Sequence, residues 1–168
     1  MPDQMTTRDD ALQRASRIKL MIFDVDGVLT DGALYFNHEG EEFKVFNSLD
    51  GHGMRMLRES GVRLAIITGR KAPCVEWRMK NLRIDLLLQG VDNKLAALKG
   101  LLEELGLTPE EAGFMGDDVI DLQAMALCGF SAAPADAHAL VASRAALVVG
   151  KSGGHGAVRE VCEFILAA

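Results

Sequence analysis

Residues 18–25 form a nearly unbroken apolar run that breaks on acids: Asp24-Val25-Asp26-Gly27-Val28-Leu29-Thr30-Asp31. Such a run, without the polar alternation of a half-exposed strand, is the pattern of a strand covered on both faces. Strands of that kind belong to parallel sheets with helices above and below. The rest of the chain repeats the theme, with residues 62–67, 86–88, 112–115 and 147–149 reading as further strands and 130–133 as a weaker one. Helical stretches separate most of them. Asp50 stands before the apolar residues 54–57 with Gly61 as a stop, Pro73 opens a second helix, Gly106 follows a third over 95–105, and 157–166 reads as the last. Strand–helix alternation implies right-handed crossovers and a fold of the α/β class, a Rossmann-like doubly wound parallel sheet flanked by helices.

At 168 residues the chain fits one domain, 1–168, with no internal repeat or obvious linker. Residues 1–17 read as a polar leader suited to a short helix. One segment breaks the alternation. Residues 34–36 and 43–46 flank the turn-like Asn37-His38-Glu39-Gly40, so 33–46 is predicted to be a projecting β-hairpin rich in aromatics (Tyr35, Phe36, Phe43, Phe46). A two-stranded hairpin is rarely stable alone, and its apolar faces and open edges invite a second copy of the chain. Residues 150–168 comprise a glycine-rich segment, 150–156, flexible enough to move near an active-site mouth, followed by the terminal helix.

A formal net charge of −6 argues against a nucleic-acid surface, because phosphate backbones are held by clustered Lys and Arg. No apolar run approaches the roughly 18 residues of a membrane span, and the leader lacks a signal-peptide core, which points to a cytoplasmic protein without a membrane partner. Cys74, Cys128 and Cys162 are scattered among equally scattered histidines, the pattern of free thiols rather than of a zinc site.

Four pieces of the sequence carry chemistry. In an open parallel sheet, ligands bind beyond the carboxyl ends of the strands, where Asp24 and Asp26 stand, two residues apart and able to converge on one substrate. Two close carboxylates call for a cation, and a hard divalent ion such as Mg2+ suits oxygen ligands. A calcium loop is excluded because Val28 stands where that pattern needs an oxygen donor. After the strand 62–67 come Thr68, able to donate a hydrogen bond to a phosphoryl oxygen, and Gly69, which permits close approach of the backbone. Lys94 begins a helix, a poor place for a cation unless it meets an anion. Gly116-Asp117-Asp118-Val119-Ile120-Asp121 puts acids after another strand: Asp117 is the expected metal ligand, while Asp118 and Asp121 suit either orienting their neighbours or capping a helix. Each piece alone has an ordinary reading as a turn, a cap or solvated surface.

Their order resembles the haloacid dehalogenase superfamily, whose motifs are D-x-D, a Ser or Thr, a Lys and an acidic G-D-D-x-x-D element; the resemblance spans about residues 18–166. It implies an aspartyl-phosphate mechanism with Asp24 as nucleophile, Asp26 as acid and then base, and Thr68 and Lys94 on the phosphoryl group. It also implies Mg2+ held by Asp24, Asp117 and the backbone carbonyl of Asp26. Neither gap that carries a cap domain in other members has room for one here, so the chain is similar to the capless type. At finer grain, Asn47-Ser48-Leu49-Asp50-Gly51, Ile66-Ile67-Thr68-Gly69-Arg70 and Gly153-Gly154-His155-Gly156 resemble the branch that hydrolyses eight-carbon acidic sugar phosphates in lipopolysaccharide precursor synthesis. Asn47 to Asp50 departs from the Asn-Val-Arg-Asp more usual in that branch. The resemblance implies substrate contacts from Asp26, Asn47, Ser48, Leu49, Asp50, Gly51, Arg55, Arg70, Arg78 and Lys94, and a homotetramer. Arginine suits a sugar carboxylate because its planar fork matches the two oxygens. The alternatives are a phosphatase of nine-carbon 2-keto sugar-acid phosphates, disfavoured by Arg70, and a non-catalytic oligomerisation or phosphate-binding module, disfavoured by the intact motifs.

Overall fold

The central strand β1 (Leu20–Phe23) is buried along its whole length, as its unbroken apolar sequence requires. A computed structural model describes residues 7–168, so residues 1–6 of the predicted leader lie outside the described part. Within it, β1 pairs in parallel with β4 (Arg63–Ile67) on one side and with β6 (Ala112–Met115) on the other. The sheet is completed by β5 (Leu86–Leu88), β7 (Phe130–Ala133) and β8 (Leu147–Val148), in the order β5-β4-β1-β6-β7-β8, with every pairing parallel. The chain thus builds outward from β1 in one direction, then returns to build in the other. That reversal opens a crevice at the carboxyl ends of β1 and β6.

Side-chain alternation along the strands feeds two cores. Met21, Phe23, Leu64, Ile66 and Phe130 face one cluster, filled by Met54 and Leu57 of α2 (Ser48–Glu59), Val75 and Met79 of α3 (Pro73–Leu82), and Val158 and Val161 of α7 (Ala157–Leu166). Leu20, Ile22, Ala65, Ile67 and Phe114 face the other, covered by Leu98, Leu101 and Leu102 of α4 (Lys94–Leu105), by α5 (Leu122–Leu127) and by α6 (Ala139–Ala142). The leader is more than a polar tail. Thr7 and Asp10 form a reciprocal capping box that starts α1 (Arg8–Ala15), whose Ala11 and Ala15 are buried in the first core.

Two boundaries differ from expectation. Asp50 does not cap α2: Asn47 does, its side-chain oxygen accepting from the backbone N–H of Leu49 and Asp50, so the helix opens earlier and Asp50 lies in its first turn. The hairpin consists of β2 (Tyr35–Phe36) and β3 (Glu42–Phe43), with Tyr35 opposite Phe43 and their rings stacked at 5.3 Å. Its turn is set by Asn37, whose side-chain oxygen accepts from the N–H of Glu39 and of Glu41. Residues 44–46, predicted to extend the second strand, leave the ladder as the Lys44 side chain goes to Asp26.

The glycine-rich segment 150–156 is held, not loose. The N–H groups of Gly150 and Lys151 donate to the Glu160 carboxylate, that of Gly153 to Asp136, and that of Gly154 to the carbonyl of Val28. It packs so closely on the turn after β1 that a Cβ at Gly153 would lie 1.9 Å from the carbonyl oxygen of Gly27. Gly153 and Gly154 therefore serve close packing against the loop that carries Asp26.

Candidate active site

The sheet register brings three of the four predicted pieces to one edge. Phe23 lies opposite Ile66 and Met115, so Asp24 follows immediately, while Thr68 and Asp117 each stand two residues beyond those partners. Lys94 arrives from the helix side: Asn93 caps α4 by accepting from the N–H of Ala96, and the lysine is only 4% exposed although it opens the helix. Its Nζ lies 2.9 Å from Asp24 Oδ2 and 2.6 Å from Asp121 Oδ1, so the anions that its position calls for are both present.

Asp121 has neither of its carboxylate oxygens to spare. Oδ1 accepts from Lys94, and Oδ2 accepts from the N–H groups of Asp117 (3.1 Å) and Asp118 (3.2 Å). It is the fully buried post that shapes the 116–121 loop and holds Lys94. Asp118 takes the capping role, its Oδ1 accepting from the N–H of Val119. Asp117 is pressed against the first motif. Gly27 has a φ of +82°, and a Cβ there would lie 1.9 Å from Asp117 Oδ2, so only glycine admits this approach.

The electrostatics of the cluster are unfinished. Carboxylate oxygens of Asp24, Asp117 and Asp121 come within 4.8 Å of one another. Burial, and then the charge of Asp121, push the pKa of Asp24 up to about 6 in spite of Lys94. Burial, and then Asp24, Asp121 and Asp118, push that of Asp117 up to about 7. One lysine does not balance three buried or half-buried carboxylates, and the excess negative charge, presented by hard oxygens, suits a small divalent cation.

Asp24, Asp26, Thr68, Arg70, Lys94 and Asp117 line one open cleft of about 260 Å³. The other predicted substrate residues are elsewhere. Ser48, Gly51, Arg55 and Arg78 line a separate cavity of about 390 Å³ between α2 and α3, shared with His52 and Arg58. Arg78 lies over Gly51, donates to the carbonyl of Asn47 at 3.4 Å, and has its guanidinium 5.8 Å from the centre of the Phe46 ring. Arg55 pairs with Glu59 one turn along α2. Leu49 is exposed, whereas Asp50 is buried: Oδ1 accepts from the N–H of Arg159 and Oδ2 has no partner among the described residues.

Two residues outside the four predicted pieces, Lys44 and Glu42, contact the cleft lining. Lys44 Nζ lies 2.6 Å from Asp26 Oδ1 and 2.9 Å from Glu42 Oε1, and Glu42 also accepts from Nε and Nη2 of Arg70, each at 3.2 Å. No local sequence signal marks them: alternation of Glu42 and Lys44 with Phe43 and Val45 would turn the charged pair to solvent, whereas Phe43 and Val45 are the exposed ones.

Comparison with known proteins adds family and relatives. Residues 77–161 match the model of a haloacid dehalogenase-like hydrolase family. The chain is 50% identical over 159 residues to the 3-deoxy-D-manno-octulosonate 8-phosphate phosphatase KdsC of Escherichia coli K12, covering 95% of this chain and 85% of that protein. It superposes on the crystal structure of the phosphatase of the same name from Yersinia pestis with a TM-score of 0.93 at 49% identity, covering 95% of this chain and 86% of that one. It also superposes, with a TM-score of 0.93 at 43% identity, on the Moraxella catarrhalis phosphatase of that name in complex with magnesium ion, phosphate ion and a KDO molecule, covering 95% of this chain and 91% of that one.

Proposed function

Because the chain belongs to the haloacid dehalogenase-like hydrolase family, we propose that it is a Mg2+-dependent phosphatase that hydrolyses 3-deoxy-D-manno-octulosonate 8-phosphate to the free sugar acid and inorganic phosphate. The observation that carries this reading is the convergence of Asp24, Thr68, Lys94 and Asp117 on one crevice at the carboxyl edge of the sheet, in a chain half identical to phosphatases of that name.

The residues present fit the ion. Asp24 and Asp117, whose pKa values are raised by burial and then by neighbouring carboxylates, would hold it together with the backbone carbonyl of Asp26; both Asp121 oxygens are already engaged. When bound, Mg2+ supplies positive charge that offsets the negative charge on the phosphoryl oxygens and keeps the carboxylates ionised. In the first step a carboxylate oxygen of Asp24 attacks phosphorus. The bond from phosphorus to the sugar oxygen breaks, and that oxygen takes the proton of Asp26. In the second, water attacks phosphorus, gives a proton to Asp26, and the bond from phosphorus to Asp24 breaks, which frees phosphate and restores both carboxyl groups. Lys94 orients Asp24 and, with Thr68, meets charge on the phosphoryl group, where positioning and electrostatics provide most of the acceleration.

The division of the substrate residues between a cleft and a separate cavity supports a homo-oligomer, which we take to be a tetramer. Arg70 and Lys94 flank the acids, whereas Ser48, Gly51, Arg55 and Arg78 open elsewhere, so one sugar acid meets both groups only if a second copy brings its cavity to the cleft. Exposed Leu34, Phe36, Phe43 and Val45 on the hairpin give such a contact its apolar surface. No helix among the described residues is long and apolar enough to cross a membrane. We take the enzyme to work in the cytoplasm, a reading that a charged, water-soluble sugar-acid phosphate substrate supports. The test is phosphate release from 3-deoxy-D-manno-octulosonate 8-phosphate and from other sugar phosphates, with and without Mg2+. Mg2+-dependent release that favours the eight-carbon acid is the expected result; equal activity on neutral hexose phosphates contradicts the substrate, and full activity without metal contradicts the chemistry.

A further inference from the structure

Lys44 occupies an unusual place for a lysine on a projecting hairpin. Its chain neighbours Phe43 and Val45 are 49% and 59% exposed, yet its own side chain is only 2% exposed. Withdrawing an ammonium from water is unfavourable unless good partners replace the lost hydration. It has two: Asp26 Oδ1 at 2.6 Å and Glu42 Oε1 at 2.9 Å. Glu42 in turn holds Arg70 through two bonds of 3.2 Å. Arg70, Glu42, Lys44 and Asp26 therefore form a linked chain of side chains drawn from three separate segments: the loop after β4, the hairpin and the loop after β1. A hairpin that served only to contact another subunit would have no need to bury a cation against the cleft.

We propose that Lys44 is a positioning residue for Asp26, with Glu42 holding Lys44 and Arg70 in place, so that the hairpin is part of the catalytic apparatus. The proposal rests on the phosphatase reading. Committing Oδ1 of Asp26 to Lys44 fixes the rotation of the carboxyl group and leaves Oδ2 as the atom that exchanges a proton. As the bond from phosphorus to the sugar oxygen breaks, that proton passes to the departing oxygen and the negative charge passes to Asp26. Without Lys44 the carboxyl group is free to turn away from the leaving oxygen. An alkoxide leaving group needs that proton, whereas p-nitrophenolate departs without it.

The experiment compares kcat/KM, which reports the first phosphoryl transfer alone, for 3-deoxy-D-manno-octulosonate 8-phosphate and for p-nitrophenyl phosphate. General acid assistance contributes on the order of 100-fold or more. In Lys44→Met the ratio of the two values is expected to fall by about that factor relative to wild type, with the nitrophenyl ester little affected and the melting temperature near wild type. Glu42→Gln, nearly isosteric, is expected to shift the ratio the same way by a smaller factor and gives the same reading if Lys44→Met does not fold. An unchanged ratio, whether both rates fall together or neither falls, overturns the proposal, because a merely structural lysine affects both substrates alike. Failure of the wild-type protein to hydrolyse either ester overturns the phosphatase reading instead.

Discussion

The ammonium of Lys94 lies 2.9 Å from Oδ2 of Asp24, both side chains almost wholly buried, although one belongs to the end of β1 and the other to the first turn of α4. Even with this cation beside it, Asp24 in the metal-free protein titrates at about 6, because burial, and then Asp121, act in the opposite direction. Lys94 thus favours ionisation of Asp24, the proposed nucleophile, against its surroundings. Replacing it by Met removes a group that lowers the Asp24 pKa, so the acid limb of the kcat/KM profile is expected to move to higher pH. The rate at its plateau should fall by roughly 100- to 1000-fold, the usual effect of removing one donor to a reacting oxyanion. A pH–rate profile with saturating Mg2+ measures both, and an acid limb that stays in place contradicts the role.

Mg2+ is expected to stabilise the protein more strongly at high pH than at low. In the metal-free protein Asp24 titrates at about 6 and Asp117 at about 7, both above the ordinary 3.8. The folded state then binds more protons than the unfolded chain between about pH 4 and pH 7, so these groups favour folding at the acid end and that contribution is lost as pH rises through 6 to 7. Metal takes the place of the protons and restores it. The gain in melting temperature on adding Mg2+ should therefore be larger at about pH 8 than at about pH 5.5. An equal gain at both would show that these two carboxylates do not hold the ion.

Gly27→Ala is expected to leave the fold intact and weaken Mg2+ binding by about tenfold or more, the scale seen when a group that orients a ligand is lost. The added methyl meets Asp117 Oδ2 at 1.9 Å and forces a left-handed residue to carry a side chain. Titration calorimetry with Mg2+ reads the effect; wild-type affinity would show that Asp117 can shift without consequence.

The hairpin contact is tested by Phe43→Lys. Phe43 stacks on Tyr35, is 49% exposed and adjoins exposed Val45, so a charge there should shift the oligomer towards smaller species in sedimentation at micromolar concentration. An unchanged assembly places the interface elsewhere.

Much of the site is legible in the sequence because a parallel sheet converts sequence order into position: whatever follows an apolar strand reaches the same edge. Asp24, Thr68 and Asp117 can be read for that reason, and Lys94 because a cation at a helix start is poorly placed unless it meets an anion. Lys44 and Glu42 cannot, since a lysine between two exposed apolar residues reads as solvated surface and nothing local says that its inner face meets Asp26. The separation of Arg55 and Arg78 from the cleft is equally hidden, because a family likeness implies substrate contacts without saying where in the fold they open. The boundary at Asp50 is ambiguous for a simpler reason: Asn47 and Asp50 are both competent caps, and burial of Asp50 beside Arg159 decides between them.

If Asp24 carries the phosphoryl group, a covalent adduct must accumulate on it or pass through it at every turnover. Quenching the enzyme in acid during turnover of 3-deoxy-D-manno-octulosonate 8-phosphate, followed by digestion and mass analysis, should find one added phosphoryl group on the peptide that contains Asp24. Asp24→Asn should show neither that adduct nor phosphate release while it melts as the wild type does. Near-normal phosphate release by Asp24→Asn, or an adduct on another residue, would contradict the account.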